Sequence, residues 1–321
     1  MWESLKAQLL EVGTAQLTGA DASEYESKST AGPGAGGRGS VFFSYEGHRV
    51  RLNVADDSPI TLRHIGGGTV MLTYGYIEVL GKLEKPGSHC PGQAYITISG
   101  SCIYHCKYCP VPANAAPTKS MDEIVSLVQN ADDIHAISLT SGVVGSTEEE
   151  EERALAVLKA LREFNLPIGV SIYPTSGTAR RLHEAGATEV KFNLETATPE
   201  LFAEMCPGMD RDIINTELDE AVKLFGKNHV FTNLIIGLGE TDEEMKAAVS
   251  DLCARGIIPT LRPLCPGGEV KDLPRPGFKR IMNLYKHHRS ALAANGLDTR
   301  EAKTMCIACT GCDMVPDQDQ N

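Results

Sequence analysis

The sequence has no basic stretch interleaved with aromatic residues to offset its formal net charge of −12. An acidic chain without a local reversal of sign repels polyanions, so nucleic acid is not an expected substrate. The opening run Met1-Trp-Glu-Ser-Leu-Lys-Ala-Gln-Leu-Leu10 lacks the basic segment and apolar core of a secretory leader, and no apolar run there is long enough to cross a bilayer. The expectation is a cytoplasmic protein with no membrane contact. A disulfide framework is also missing: of ten cysteines, six form two tight triplets, which is metal arithmetic, and Cys90, Cys206, Cys253 and Cys265 are the remainder. What is present is ordinary for a globular protein, with 42% apolar residues over 321 positions, enough for one main domain with appendages.

Residues 1–17 read as a short helix, and the glycine-rich stretch from Lys28 to Ser40 as a linker. Its Gly-x-Gly-Gly lacks the strand before and helix after that a phosphate loop needs. Val41–Tyr45, Val50–Val54, Thr61–His64 and Val70–Val79 have the β-branched and aromatic content of strands. Residues 1–88 are therefore assigned to a helix, the linker and a small β-rich appendage.

From Gln93 onward, short apolar runs alternate with helical periods, the pattern of βα units around a parallel sheet. Strands are expected near 94–99, 135–140, 167–172, 189–194, 230–236 and 258–262. Helices are expected near 119–130, 148–164, 176–186, 198–206, 211–226 and 242–256. Six such units predict an α/β fold, a partial (β/α)6 TIM-type barrel over residues 89–275. Residues 276–321 hold a last helix, about Pro276 to Asn295, and a cysteine-containing tail.

The first triplet lies in Gly100-Ser-Cys-Ile-Tyr-His-Cys-Lys-Tyr-Cys-Pro110, in the loop after the first barrel strand, where reacting groups gather in such barrels. Cys102, Cys106 and Cys109 suffice for three corners of a cubane iron–sulfur cluster and leave its fourth iron open, whereas zinc sites and structural clusters take four ligands. A zinc knuckle with a distant fourth ligand and metal-free buried cysteines are the alternatives. The spacing resembles the radical S-adenosylmethionine (SAM) superfamily. That resemblance implies a [4Fe-4S] cluster whose open iron chelates SAM, one-electron cleavage to a 5′-deoxyadenosyl radical, and a reducing partner such as ferredoxin or flavodoxin. It places Tyr108 against the adenine.

Further segments follow the same resemblance. Ser138-Leu-Thr-Ser-Gly-Val-Val-Gly-Ser146 stands where relatives carry a glycine-rich segment facing the SAM amino group, which implies contacts from Thr140, Ser141 and Gly142 although no Gly-Gly-Glu occurs. A loop capping the helix of Glu148–Glu152 explains the same residues. Lys191-Phe-Asn-Leu-Glu-Thr196 resembles a segment of biotin and lipoyl synthases, implying that Glu195 holds the SAM ribose and Asn193 lies between SAM and substrate. A polar strand end that caps a helix is the alternative. Leu234-Ile-Ile-Gly-Leu-Gly-Glu-Thr241 resembles the adenine-binding strand, with Gly237 and Gly239 allowing close backbone approach. Arg211 is assigned to the SAM carboxylate. Arg262 is assigned to a carboxylate or a second cluster, with a structural ion pair as the alternative.

In the tail, Met305-Cys-Ile-Ala-Cys-Thr-Gly-Cys-Asp313 gives Cys306, Cys309 and Cys312 the two-residue gaps of a ferredoxin-like cluster. The expectation is an auxiliary [4Fe-4S] cluster with Cys90, Cys265, a serine or nothing as fourth ligand. A zinc site completed by a remote cysteine or histidine is the rival. Familiar lipoyl synthases carry their auxiliary cysteines before the barrel, so the chain looks more like the biotin synthase-like proteins that include partners in two-component lipoyl synthases. This implies sulfur insertion into a small-molecule or carrier-bound acyl substrate, with a second radical SAM protein as partner. Radical rearrangement or cofactor maturation is the enzymatic alternative, and an iron–sulfur scaffold or electron carrier the non-catalytic one.

Overall fold

Gly13 ends the first helix, α1 (Trp2–Val12): its φ is 71°, and its N–H caps the helix by bonding to the Leu9 carbonyl. The segment to Leu17 is therefore not one helix, and residues after Gly13 form strand β1 (Thr14–Thr18). These elements belong to a computed structural model that describes residues 1–28, 39–85, 89–114 and 116–320. Most of the glycine-rich stretch from Lys28 to Ser40 lies outside the described residues.

Strands β2 (Ser27–Lys28), β3 (Gly39–Tyr45), β4 (His48–Val54), β5 (Ile60–Gly66), β6 (Thr69–Tyr74) and β7 (Ile77–Glu84) join β1 in one sheet of order β2-β3-β4-β1-β5-β6-β7. Because β3 also pairs with β7, six of these strands close on themselves as a small barrel. Alternation sends Val41 and Phe43, Val50 and Leu52, Ile60 and Leu62, and Val70 and Leu72 into one buried cluster with α1. The expected strand Val70–Val79 is two strands, because the chain turns at Gly75, where φ is 56°.

The second sheet is parallel throughout. It contains β8 (Gln93–Thr97), β9 (Ala136–Thr140), β10 (Ile168–Ser171), β11 (Glu189–Lys191), β12 (Val230–Ile236) and β13 (Ile258–Pro263), in sequential order. Helices α2 (Met121–Gln129), α3 (Thr147–Leu161), α4 (Thr178–Ala185), α5 (Pro199–Met205), α6 (Arg211–Phe225) and α7 (Asp242–Ala254) fill the crossovers. Sequence-local caps set where several begin: the hydroxyls of Ser120, Ser146 and Thr241 accept N–H bonds from the first turns of α2, α3 and α7. All seven residues of β12 are buried, as expected for a parallel strand covered on both faces. No pairing joins β8 to β13 among the described residues, so the sheet is a partial barrel.

Helix α8 (Phe278–Asn295) packs against α1 and α7. The chain then returns to the barrel through α9 (Met305–Cys309). Glu189 accepts bonds from the backbone N–H groups of Lys303 and Thr304 at 2.8 Å each, and Gln93 bonds both the N–H and the carbonyl of Met305. Gly169 makes room for this insertion, since a Cβ there would lie 2.1 Å from Thr304 Oγ1. At the far end of the tail, Lys6 and Asp319 form a buried ion pair at 2.7 Å, which ties the tail to α1.

Candidate active site

The loop after β8 is held by its backbone. Ile103 N–H bonds to the Val143 carbonyl, Lys107 N–H to Met205, Cys109 N–H to Cys106 and Ala116 N–H to Gly100. Gly142 is required next to it, because a Cβ there would come within 2.2 Å of the Ser101 carbonyl. Val143 N–H points at Cys102 Sγ at 3.4 Å, and Cys106 Sγ lies 3.4 Å from Met209 Sδ. The hydrogen bond with Cys206 and then burial push the Cys106 thiol up, and burial raises Cys109 to about 11. Thiols held protonated in this way become ligands only when a metal replaces the proton.

Cys102, Cys106 and Cys109 line a cavity of about 530 Å³ at the C-terminal ends of the barrel strands. Tyr108, Thr140, Ser141, Gly142, Asn193, Glu195 and Arg262 line it too, so most of the expected SAM contacts converge. The Ser141 hydroxyl is committed elsewhere: it donates to Glu150 and accepts from Ser99 N–H, which leaves its backbone for a ligand. Asn193 Oδ1 is buried with no hydrogen-bond partner. Glu195 holds a φ of 61°, and burial raises its pKa against the pull of Lys191, Arg262, Asn233 and Asn193. A buried carboxylate carried on a strained backbone, beside an orphaned amide oxygen, is a prepared place for the hydroxyls and amine of a polar ligand.

Three expected contacts fall elsewhere. Gly237 and Gly239 do not line this cavity; the N–H groups of Gly237 and Leu238 bond to Glu240, which Arg280 holds at 2.8 Å. Arg211 lies in a separate pocket with Asn215, Asp251 and Arg255, because its place at the start of α6 faces α7 rather than the barrel mouth. The assignment of Arg211 to a ligand in the main cavity therefore does not match its position.

The tail triplet enters the same cavity. Cys306, Cys309 and Cys312 all line it, as do Gly311 of the tail and Phe42 and Asn53 of the small barrel. Cys306 Sγ accepts from Arg262 Nη2 at 3.2 Å and from Lys191 Nζ at 3.4 Å. Arg262 is further fixed by Asp313, with Nε and Nη2 each 3.0 Å from a carboxylate oxygen. The hydrogen bond from Cys90 draws the Cys309 thiol down to about 7, helped by Arg49, the Gly311 N–H and Arg51 against burial. Arg51 is only 5% exposed, and both its terminal nitrogens lack a hydrogen-bond partner. Among the described residues no three His, Cys, Asp or Glu side chains are gathered tightly enough to hold a metal ion. A cubane, with irons at separate corners, takes thiolates spread wider than one ion does. The donor set fits such a group: free thiols, N–H donors aimed at sulfur, and the buried guanidinium of Arg51 with its terminal nitrogens unpaired.

Sequence reasoning passed over Lys191, Asn233, Arg51 and Asn53. The period-two alternation of Lys191-Phe-Asn193-Leu-Glu195 and of Arg49-Val-Arg51-Leu-Asn53 carried the signal, since alternate strand residues share a face.

Residues 96–252 match the Radical SAM superfamily. The chain carries a radical SAM domain. Lipoyl synthase from Acidovorax ebreus (strain TPSY) is 27% identical over 179 residues, 52% of this chain and 54% of that enzyme, so the chain spans about half the length of this relative. Methylornithine synthase superposes with a TM-score of 0.51 at 16% identity, covering 63% of this chain and 68% of that one. The [FeFe]-hydrogenase maturase HydG from Carboxydothermus hydrogenoformans gives 0.52 at 17% identity, covering 62% and 52%. The radical SAM domain thus shares the partial barrel of these structures. Its match begins within β8 and ends in α7, outside both the small β barrel and the tail cysteines. No helix among the described residues is long and apolar enough to cross a membrane.

Proposed function

We propose that this protein is a radical SAM enzyme that inserts sulfur into an unactivated C–H position of an acyl substrate, drawing on an auxiliary iron–sulfur cluster in the tail. One observation carries the reading: both cysteine triplets line a single cavity of about 530 Å³. A hydrogen-abstracting centre and a source of sulfide serve one substrate only if they share a chamber that excludes other partners. The similarity to a lipoyl synthase supports the same chemistry.

When bound at Cys102, Cys106 and Cys109, a [4Fe-4S] cluster with SAM supplies a hydrogen-abstracting radical. Asn193 and Glu195 orient the polar end of the ligand, and Tyr108, half-buried with its hydroxyl 3.6 Å from Cys206 Sγ, offers a flat ring as a wall. Lys191 and Arg262 hold the tail triplet from the barrel side, and Arg51 faces it from the small barrel. An electron donor such as ferredoxin or flavodoxin, and a second radical SAM protein, belong to this proposal as partners.

The test is anaerobic incubation of the reconstituted protein with reductant, SAM and an octanoylated carrier peptide. The expected products are 5′-deoxyadenosine and a peptide heavier by sulfur. Cys106→Ala should abolish both, while Cys309→Ala should keep 5′-deoxyadenosine and lose the sulfur product. Sulfur-free product from the native protein would overturn the reading in favour of other radical chemistry.

A further inference from the structure

We propose that Cys90 is the fourth protein ligand of the auxiliary cluster, so that the tail triplet and Cys90 form a four-thiolate site with Arg51 as its counter-cation. This rests on the reading that the tail binds an iron–sulfur cluster, and it distinguishes the two triplets: one cluster presents an open iron, the other does not until a thiolate is displaced.

Position supports the assignment first. Cys90 lies just before the Pro91-Gly92 turn that leads into β8 and is bridged to Gln93, the residue that clamps Met305 at the start of the tail helix. The same backbone that locates Cys306 and Cys309 therefore locates Cys90. Its side chain is 0% exposed and forms a small buried group with Cys309, Phe42 and the flanking Tyr95. Cys90 and Cys309 therefore share one buried group beneath the tail helix.

Charge supports it second. A cluster held by four thiolates is anionic, and burying it requires nearby cations. Arg51 Nη1 and Nη2 are buried without hydrogen-bond partners, while Nε is fixed by Ser40 at 2.9 Å. The guanidinium lies 5.8 Å from the centre of the Phe42 ring, and Phe42 belongs to the same buried group as Cys90 and Cys309. An anionic group bound among these cysteines gives those N–H donors their missing acceptor.

Two competing ligands, Cys265 and His89, line the cavity, but Cys265 lies outside the buried group that holds Cys90 with Cys309 and Phe42. Cys265 takes its hydrogen bond from Asn53 Nδ2 at 3.7 Å. His89, beside Cys90 in sequence, tilts against the Tyr95 ring with centroids 4.8 Å apart.

The test uses the full chain with Cys102, Cys106 and Cys109 replaced by alanine, so that only the tail site can hold a cluster. After anaerobic reconstitution this parent should contain about four irons per chain and keep them through mild oxidation. Adding Cys90→Ala should expose one iron, and oxidation should release it, leaving about three irons and the EPR signal of a three-iron cluster. Cys265→Ala and His89→Ala should match the parent. If Cys90→Ala loses all iron, Cys90→Ser decides: a serine-ligated iron keeps the full count but shifts the Mössbauer and EPR spectra. An unchanged spectrum in Cys90→Ser would assign Cys90 to packing alone and overturn the proposal. A Cys90→Ala protein indistinguishable from the parent would also overturn it, as would a three-iron signal from Cys265→Ala or His89→Ala instead. A parent that binds no iron would overturn both this proposal and the auxiliary-cluster reading.

Discussion

Arg262 on β13 and Asp313 in the tail form a two-point ion pair, with both contacts at 3.0 Å, and the same guanidinium donates to Cys306 at 3.2 Å. One side chain thus sets the distance between a barrel strand and a cysteine of the tail. Asp313 is fully buried, so its charge has little recourse to water if the pair is broken.

Asp313→Asn should therefore loosen the tail while leaving the cysteine loop intact. Losing one partner of a buried pair costs about 3 kcal/mol, enough to lower thermal stability measurably. The expected result is loss of tail-bound iron with the first cluster retained. Iron and sulfide counts alongside thermal unfolding check this, and a variant with full iron and native stability would refute the pairing as the anchor. Arg262→Lys should behave similarly, because a single ammonium cannot make two parallel contacts.

The barrel and its cysteine loop were legible because both are local patterns. Alternating apolar runs mark parallel strands, and three cysteines in one loop need no tertiary contact to be recognised. The convergence of the tail on the same cavity was not legible. It depends on contacts such as Glu189 with Thr304 and Gln93 with Met305, whose partners lie more than a hundred positions apart. Arg211 illustrates the opposite failure: its sequence position suggested a ligand contact, but the rotation of α6 turns it toward α7. Closure of the N-terminal strands into a barrel was likewise hidden, because β3 pairs with β7 across the intervening strands.

Gly169 offers a direct test of tail insertion. A Cβ there meets Thr304 Oγ1 at 2.1 Å and Thr304 Cβ at 2.8 Å, distances real contacts do not reach. Gly169→Ala should displace the tail from the barrel, with cysteines 306, 309 and 312 becoming more reactive toward thiol reagents. Cleavage of SAM at the first cluster should persist, measured as 5′-deoxyadenosine. Unaltered tail thiol reactivity would argue against a tail seated on β10.

Glu195 and Asn193 give a prediction about affinity rather than assembly. Glu195→Gln removes a charged acceptor, and loss of one such hydrogen bond is worth about 1.5 kcal/mol, roughly tenfold in SAM affinity. Asn193→Ala should weaken binding by a smaller factor, since its Oδ1 is a neutral acceptor. Equilibrium binding of SAM to the reconstituted protein measures both, with iron content unchanged in each variant. Loss of iron rather than affinity would move Glu195 from ligand binding to support of the cysteine loop.

His288 on α8 supplies a test of stability that is independent of the clusters. It is 1% exposed, both ring nitrogens lack hydrogen-bond partners, and burial followed by the charge of His287 pushes its pKa down to about 3. An unfolded histidine titrates near 6.5, so between these values the unfolded chain binds a proton that the folded chain refuses. This residue therefore imposes no penalty well above pH 6.5, and a penalty growing by about 1.4 kcal/mol per pH unit as pH falls through that window toward the folded value. His288→Leu, similar in volume, removes the site and its penalty. Thermal unfolding of the native protein and the variant at about pH 7 and about pH 5 should show the gap shifting toward the variant by about 2 kcal/mol at the lower pH. Acid effects on other groups are shared by the two proteins and cancel in the difference. A gap that stays constant with pH would mean that His288 finds a partner for its proton in the folded state.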